Sequence, residues 1–146
     1  LIRIDRGKPR QANLRRAVST VYYALFHCLA EDAANLLVGG QGSDRSKHAW
    51  RQAYRALEHG HTKSRCIDQR FIKKFPPEIE DFANQFVEMQ IKRHDADYDP
   101  RSGPYYKSSV LQDIEDADVV IDRYGKSPKK DRRAFAVYVI MKTRFS

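Results

Sequence analysis

Apolar residues return every three or four positions over most of the chain, the spacing of helices that each bury one face. From Leu14 the series Val18, Val21, Leu25 and Leu29 runs without a break. Tyr22, Phe26, Ala30, Ala33 and Leu37 widen it until little of the circumference is polar. Such a helix needs cover on most sides, from a central place among other helices or from a second subunit. It is predicted to begin near Gln11, after a flexible polar arm over 1–10 that contains Pro9, and to stop at Gly39, Gly40 and Gly42.

A second helix follows through Trp50, Ala53, Tyr54 and Leu57, with its end expected near Gly60; the stretch 61–77 offers a short helical turn around Cys66 and Phe71. Pro76–Pro77 suits the start of a third helix, because the first helical N–H has no partner to lose. Glu78, Glu80 and Asp81 favour the positive end of its dipole. This helix carries Ile79, Phe82, Phe86 and Met89 on one face and ends near Asp99, whose following Pro100 disfavours helical geometry. After a turn-rich link over 99–107, Ser108 or Ser109 is expected to cap a fourth helix with Val110, Ile114, Ala117, Ile121 and Tyr124 as its buried stripe. Past a break at Gly125 to Lys130, the last segment reads as a fifth helix rich in β-branched and aromatic residues.

The expected fold is therefore all-α: a single domain over 1–146 built as an antiparallel four-helix bundle, with 125–146 as a basic C-terminal extension. The long first and third helices should pack through Leu25, Phe26, Phe82 and Phe86. A homodimer is expected, because the first helix has more apolar surface than three neighbours need.

Composition fits one domain. With 146 residues, 41% of them hydrophobic, the chain can bury a core, and whole-length disorder is excluded. No run of about 18 apolar residues exists to span a membrane, no signal-peptide pattern is visible, and Cys28 and Cys66 are too few for a disulfide scaffold. The cytoplasm is the expected compartment. The opening Leu1 leads us to expect at least an initiator methionine ahead of it.

Charge changes the picture more than its sum suggests. There are 27 Lys/Arg against 19 Asp/Glu, a net +8. Residues 1–74 hold 15 against 6, residues 75–122 hold 4 against 12, and residues 123–146 hold 8 against 1. The basic ends attract polyanions; the acidic centre does not. Lys126, Lys129, Lys130, Arg132 and Arg133 form an exposed basic run in this reading, serving either solubility or a nucleic-acid backbone.

The most informative pattern is at the end of the third helix, where the core-directed face turns ionic. Arg93 and Asp97 are one turn apart and can pair, as can His94 and Tyr98. An arginine there is either locked structurally by Asp97 or holds a phosphate through its forked donors. Histidine is the usual proton-transfer side chain near neutral pH. On the first helix Ser19, Tyr23 and His27 share a side, with Arg15 and Arg16 one turn upstream. His27 there is either a packing residue or a group facing the third helix or a partner subunit. His59, His61 and Cys66 nominally suggest zinc, but no fourth ligand lies at close spacing. The glycines at 39, 40 and 42 lack a phosphate loop's lysine and follow a helix instead of a strand. No metal and no cofactor are expected.

The segment Arg16-Ala-Val-Ser-Thr-Val-Tyr-Tyr-Ala-Leu-Phe-His27, followed by Arg93-His-Asp-Ala-Asp-Tyr98, resembles the HEPN superfamily. The likeness covers about residues 11–124 and is closest to bacterial members with a YYAxFH first helix and an R-x-x-ADY third-helix ending. It implies a compact antiparallel four-helix bundle that dimerises, in a family that includes metal-independent endoribonucleases of toxin–antitoxin and defence systems. Other members bind nucleotides or support a nucleotidyltransferase-type antitoxin partner. The family's nuclease motif is an arginine, a polar residue, and a histidine four to six positions on. Arg93 and His94 match its first two positions, and Tyr98 stands where the histidine belongs.

The resemblance thus implies an RNA- or nucleotide-associated domain. Arg93, Asp97, Tyr98, Tyr23 and Arg16 are its substrate-contacting residues, and Arg93, His94 and His27 its candidates for catalysis. Tyrosine, with a reference pKa of about 10, is a poor base at neutral pH, so cleavage should be weak or absent. An active endoribonuclease toxin and a non-catalytic structural or protein-interaction module are the alternatives.

Overall fold

The computed structural model describes residues 8–142, and the residues it describes are all-helical. In chain order they form α1 (Lys8–Leu37), α2 (Lys47–Arg55), α3 (His59–Ile67), α4 (Gln69–Ile72), α5 (Pro77–Tyr98), α6 (Lys107–Gly125) and α7 (Lys129–Ile140). No strand occurs among them, and no helix is long and apolar enough to cross a membrane.

The broad apolar surface of α1 is used within one chain. Val18, Tyr22, Leu25, Leu29, Ala30 and Ala33 are all buried, because α2, α5, α6 and α7 each pack on this helix. The sequence argument for a second subunit on α1 is met here by α7, the element past the fourth helix that the periodicity left without a role.

α1 and α5 run antiparallel. Arg15 reaches the carbonyls of Ala96 and Asp99 at the end of α5 (3.1 and 3.0 Å), and further along Phe26 lies 6.4 Å from Phe86. Phe82 and Phe86 are wholly buried, each contributing about 2 kcal/mol by leaving water. Ion pairs between Lys92 and Asp113 (2.8 Å) and between Arg123 and Asp81 (2.6 Å) fix α6 antiparallel to α5. α7 then closes over α1 and α3. Phe135 meets Tyr124 and Phe75, and Tyr138 donates its hydroxyl to the Arg65 carbonyl (2.6 Å).

Several expected boundaries shift. The arm over 1–10 falls largely outside the described residues, and Lys8, Pro9 and Arg10 already belong to α1. Gly60 does not end a helix; it lies in the first turn of α3, entered from an extended Glu58 (ψ 136°). α2 stops at Arg55, so 59–72 holds two helices where one turn was expected. α6 begins at Lys107 with Tyr106 before it and no side-chain cap, which displaces the Ser108 and Ser109 expectation. Val110, Ala117 and Tyr124 keep the expected stripe, but Ile114 is exposed while Asp113 is buried, its carboxylate paired with Lys92.

The α1–α2 turn is governed by Asn35. Its side-chain oxygen accepts from Trp50 Nε1 (2.9 Å) and Arg45 Nη1 (3.1 Å). Gly39 has φ 145°, and a Cβ there would lie 2.6 Å from Ser43 Oγ, so only glycine fits without strain. Ser46 caps α2 by accepting from the Ala49 N–H (3.1 Å).

Candidate functional site

The interface of α1 and α5 places Arg93 among aromatic rings. Helical spacing puts Ser19, Tyr22, Tyr23 and Phe26 of α1 along the antiparallel path of α5, and Arg93 ends that path's apolar face. Its guanidinium carbon lies 5.0 Å from the ring centre of Tyr22 and 5.5 Å from that of Tyr23, within cation–π range of both. The residue is only 9% exposed. Its carboxylate partner Asp97 approaches Nη1 to 3.6 Å, beyond hydrogen-bond length, and Nε is buried without a partner. A desolvated guanidinium with five donors and so little acceptance is costly. Asp97 is also approached by the Ser19 hydroxyl, at 3.4 Å.

The histidine beside Arg93 is not one that the sequence pattern singled out for catalysis. His59, the first residue of α3, stacks on Phe26 at 4.1 Å between ring centres. It shares a 2.5 Å hydrogen bond through Nδ1 with the hydroxyl of Tyr22, the same tyrosine that Arg93 covers. Gln90 of α5 holds the His59 backbone by donating to its carbonyl (3.1 Å). Burial lowers the His59 pKa from 6.5, and the charges of Arg93 and His27 lower it further, so the imidazole is neutral at physiological pH. Burial pushes the Tyr22 phenol well up, against the opposing charge of Arg93, so the phenol keeps its proton.

The other predicted residues occupy different ground. His94 and Tyr98 are exposed and pair with each other at 5.0 Å; adjacent positions on a helix do not face one another, and His94 turns away from Arg93. His27 meets α2 and not α5. Its Nδ1 hydrogen-bonds the Tyr54 hydroxyl at 2.6 Å, and its ring lies between Tyr23 and Tyr54, 6.0 Å from each. Arg16 is exposed and bonded to Asn13 of its own helix. Arg15 is the arginine that turns inward, where its guanidinium lies 4.9 Å from the ring centre of Tyr105 and caps the carbonyls of α5. An open groove of about 550 Å³ runs along this end, lined by Gln11, Arg15, Asp97, Tyr98, Ser102 and Pro104.

The basic run after α6 is not wholly exposed. Arg132 pairs with Asp32 of α1 at 2.5 Å and donates Nε to the Ser127 carbonyl at 3.0 Å, and Arg133 donates to the Leu36 carbonyl at 3.2 Å. Both tie α7 to α1, which corrects the exposed reading for Arg132, while Arg133 stays exposed. Among the described residues, no group of three or more His, Cys, Asp or Glu side chains is placed to hold a metal ion.

The sequence held one signal for His59: a histidine following an extended, acidic Glu58 at a helix start. It went unread because Gly60 suggested an ending. Which rings close over Arg93 is a tertiary fact, since Tyr22, His59 and Arg93 come from three helices. Comparisons with protein-family models, with curated proteins and with solved structures each returned no match.

Proposed function

We propose that this domain associates with RNA or nucleotides, with Arg93 as the centre that meets phosphate. One observation carries the reading: a nine-tenths buried guanidinium held between Tyr22 and Tyr23, with its carboxylate at 3.6 Å and Nε unpartnered. A phosphate oxygen supplies the acceptors that Asp97 does not. The HEPN-like four-helix arrangement, the homodimer and a nucleotidyltransferase-type antitoxin partner, within a toxin–antitoxin or defence setting, belong to the same proposal and rest on the resemblance in α1 and α5.

Catalysis is a separate matter. Tyr98 is exposed and occupied with His94, so position 98 brings no base to Arg93. His59 is the histidine coupled to Arg93 through Tyr22, and its Nε2 is the atom a ribose hydroxyl would meet. With Tyr98 outside the centre and His27 bonded to Tyr54 of α2, we expect binding with weak or no cleavage. Titration of 5′-AMP and of a U-rich single strand against wild type and Arg93→Met tests the reading. Binding lost in a folded variant supports it, and unchanged binding removes Arg93 from the site. Strong EDTA-resistant cleavage that disappears in His59→Gln would establish the endoribonuclease alternative.

The burial of Arg93 also favours a second reading, a non-catalytic interaction module in which the arginine serves only to join α1 and α5. Unfolding of Arg93→Met, with no ligand bound by wild type, would select it.

A further inference from the structure

α2 is a short helix with an unusual charge distribution. Its nine residues include Lys47, Arg51 and Arg55 and no acidic side chain, and none of them is buried. These three cations are exposed and carry no ion pair among the described residues. They follow one another at four-residue steps, so they share a face and repel each other. Lys47 also sits in the first helical turn, where the dipole disfavours a cation. Only Arg55, in the last turn, complements the helix dipole.

The inward side of α2 is aromatic and continues onto α1. Trp50 lies 5.3 Å from Tyr54, nearly parallel to it (26°). Tyr54, the neighbour of Arg55, bonds His27, and His27 stacks in turn against Tyr23 (28°). Trp50 and Tyr54 are half-buried, but Tyr23 is 36% exposed and His27 is exposed as well. Two exposed rings are therefore joined to the cationic helix through Tyr54, and Tyr23 reaches on to Arg93.

We propose that Lys47, Arg51 and Arg55, with the exposed rings of Tyr23 and His27, form a track for single-stranded nucleic acid that leads to the Arg93 centre. Four residues of α-helix rise about 6 Å, close to the separation of successive phosphates on an extended strand, so one backbone can be followed cation by cation. Stacking rings take up unpaired bases, and a duplex hides those faces. The exposed positions of α2 are all polar or cationic, a face without the aromatic and apolar anchors that carry most protein–protein affinity. The inference rests on the nucleic-acid reading above; of its residues Tyr23 also touches Arg93, whereas the three cations of α2 play no part in that centre.

The test is fluorescence anisotropy of a labelled 15-nucleotide uridine strand between 50 and 250 mM salt. It compares wild type, Lys47→Gln/Arg51→Gln/Arg55→Gln, Tyr23→Leu and Arg93→Met, each checked for helicity. Losing three phosphate contacts should weaken binding at least tenfold at low salt and flatten the slope of log K against log salt by about 2. Tyr23→Leu should cost roughly tenfold with the slope unchanged, and a duplex of the same length should bind far more weakly than the strand. A deoxyuridine strand should bind comparably, because neither charge nor stacking reads the 2′-hydroxyl; strong discrimination against it would overturn the track as described. If the triple variant keeps wild-type affinity and slope while Arg93→Met loses binding, the track is wrong and the Arg93 reading stands. If the triple variant loses binding and Arg93→Met does not, the track stands and Arg93 is not its destination. No salt-dependent binding by wild type overturns both.

Discussion

Two arginines are buried against α1 to nearly the same degree, and they are satisfied very differently. The side chain of Arg132 is 13% exposed and that of Arg93 10%. Arg132 has its carboxylate at 2.5 Å and a carbonyl on Nε at 3.0 Å. Arg93 has a carboxylate at 3.6 Å, two tyrosine rings and an orphaned Nε. A buried charge that is well paired specifies how two helices dock, and one that is poorly paired keeps donors for something else. Burial alone therefore does not separate a structural arginine from a binding one; the count of accepted hydrogen bonds does.

The largest effect should come from breaking the better-paired centre. Arg132→Met leaves Asp32 inside with its second oxygen already unpartnered, and should cost about 3 kcal/mol in urea unfolding. Asp32→Asn combined with Arg132→Met should recover much of that loss, since the stranded charge is then gone. A single variant as stable as wild type would end the contrast.

Arg93→Met should cost less, about 1–2 kcal/mol, because what it loses is mostly ring contact and Asp97 is left with access to water. Ligand binding, by contrast, should disappear. If Arg93→Met proves as damaging as Arg132→Met, the two arginines are alike and both are structural.

His59 sharpens the comparison through pH. Its folded pKa lies below its unfolded value of 6.5, so the unfolded chain takes up the proton first. The contribution is fully present above about pH 6.5 and is lost as pH falls from there through the folded pKa. Thermal midpoints measured at pH 7.5, 6.5 and 5.5 should decline towards acid, and His59→Gln should flatten the decline. Asp32 works in the opposite sense, since burial raises its carboxyl pKa, so the difference between wild type and His59→Gln is the quantity to read.

The smallest effect concerns the thiols. Burial pushes Cys66 up to about 12, and burial with the nearby Asp32 and Glu31 carboxylates pushes Cys28 up to about 11. At pH 8 neither is a ready nucleophile, so reaction with a disulfide reagent should wait for unfolding. Arg132→Met should speed labelling of Cys28 by loosening α7, whereas Arg93→Met should leave it slow.

The helices were legible because their periodicity is local and strong. The start of α5 at Pro77 and its end before Asp99 were written in proline chemistry. The stretch 59–72 was not legible: Gly60 carries a stop signal that matters only if the preceding helix reaches it, and α2 ends five residues earlier. The candidate site was half visible. Arg93 and Asp97 share one helix, so their pairing follows from spacing; His59 and Tyr22 reach Arg93 only through packing between helices.

By itself the sequence determined an all-helical chain with apolar stripes at fixed registers, a basic first half, an acidic centre and an arginine at the polar end of a core face. Those properties depend on residues three and four apart, which a single helix brings together whatever surrounds it. Tertiary structure decided that α7 covers α1, that Arg132 is spent on Asp32, and that Arg93 lies under two tyrosines beside a neutral histidine from α3. These depend on partners 37 to 100 positions apart, which periodicity does not encode and which only the simultaneous burial of every apolar face selects.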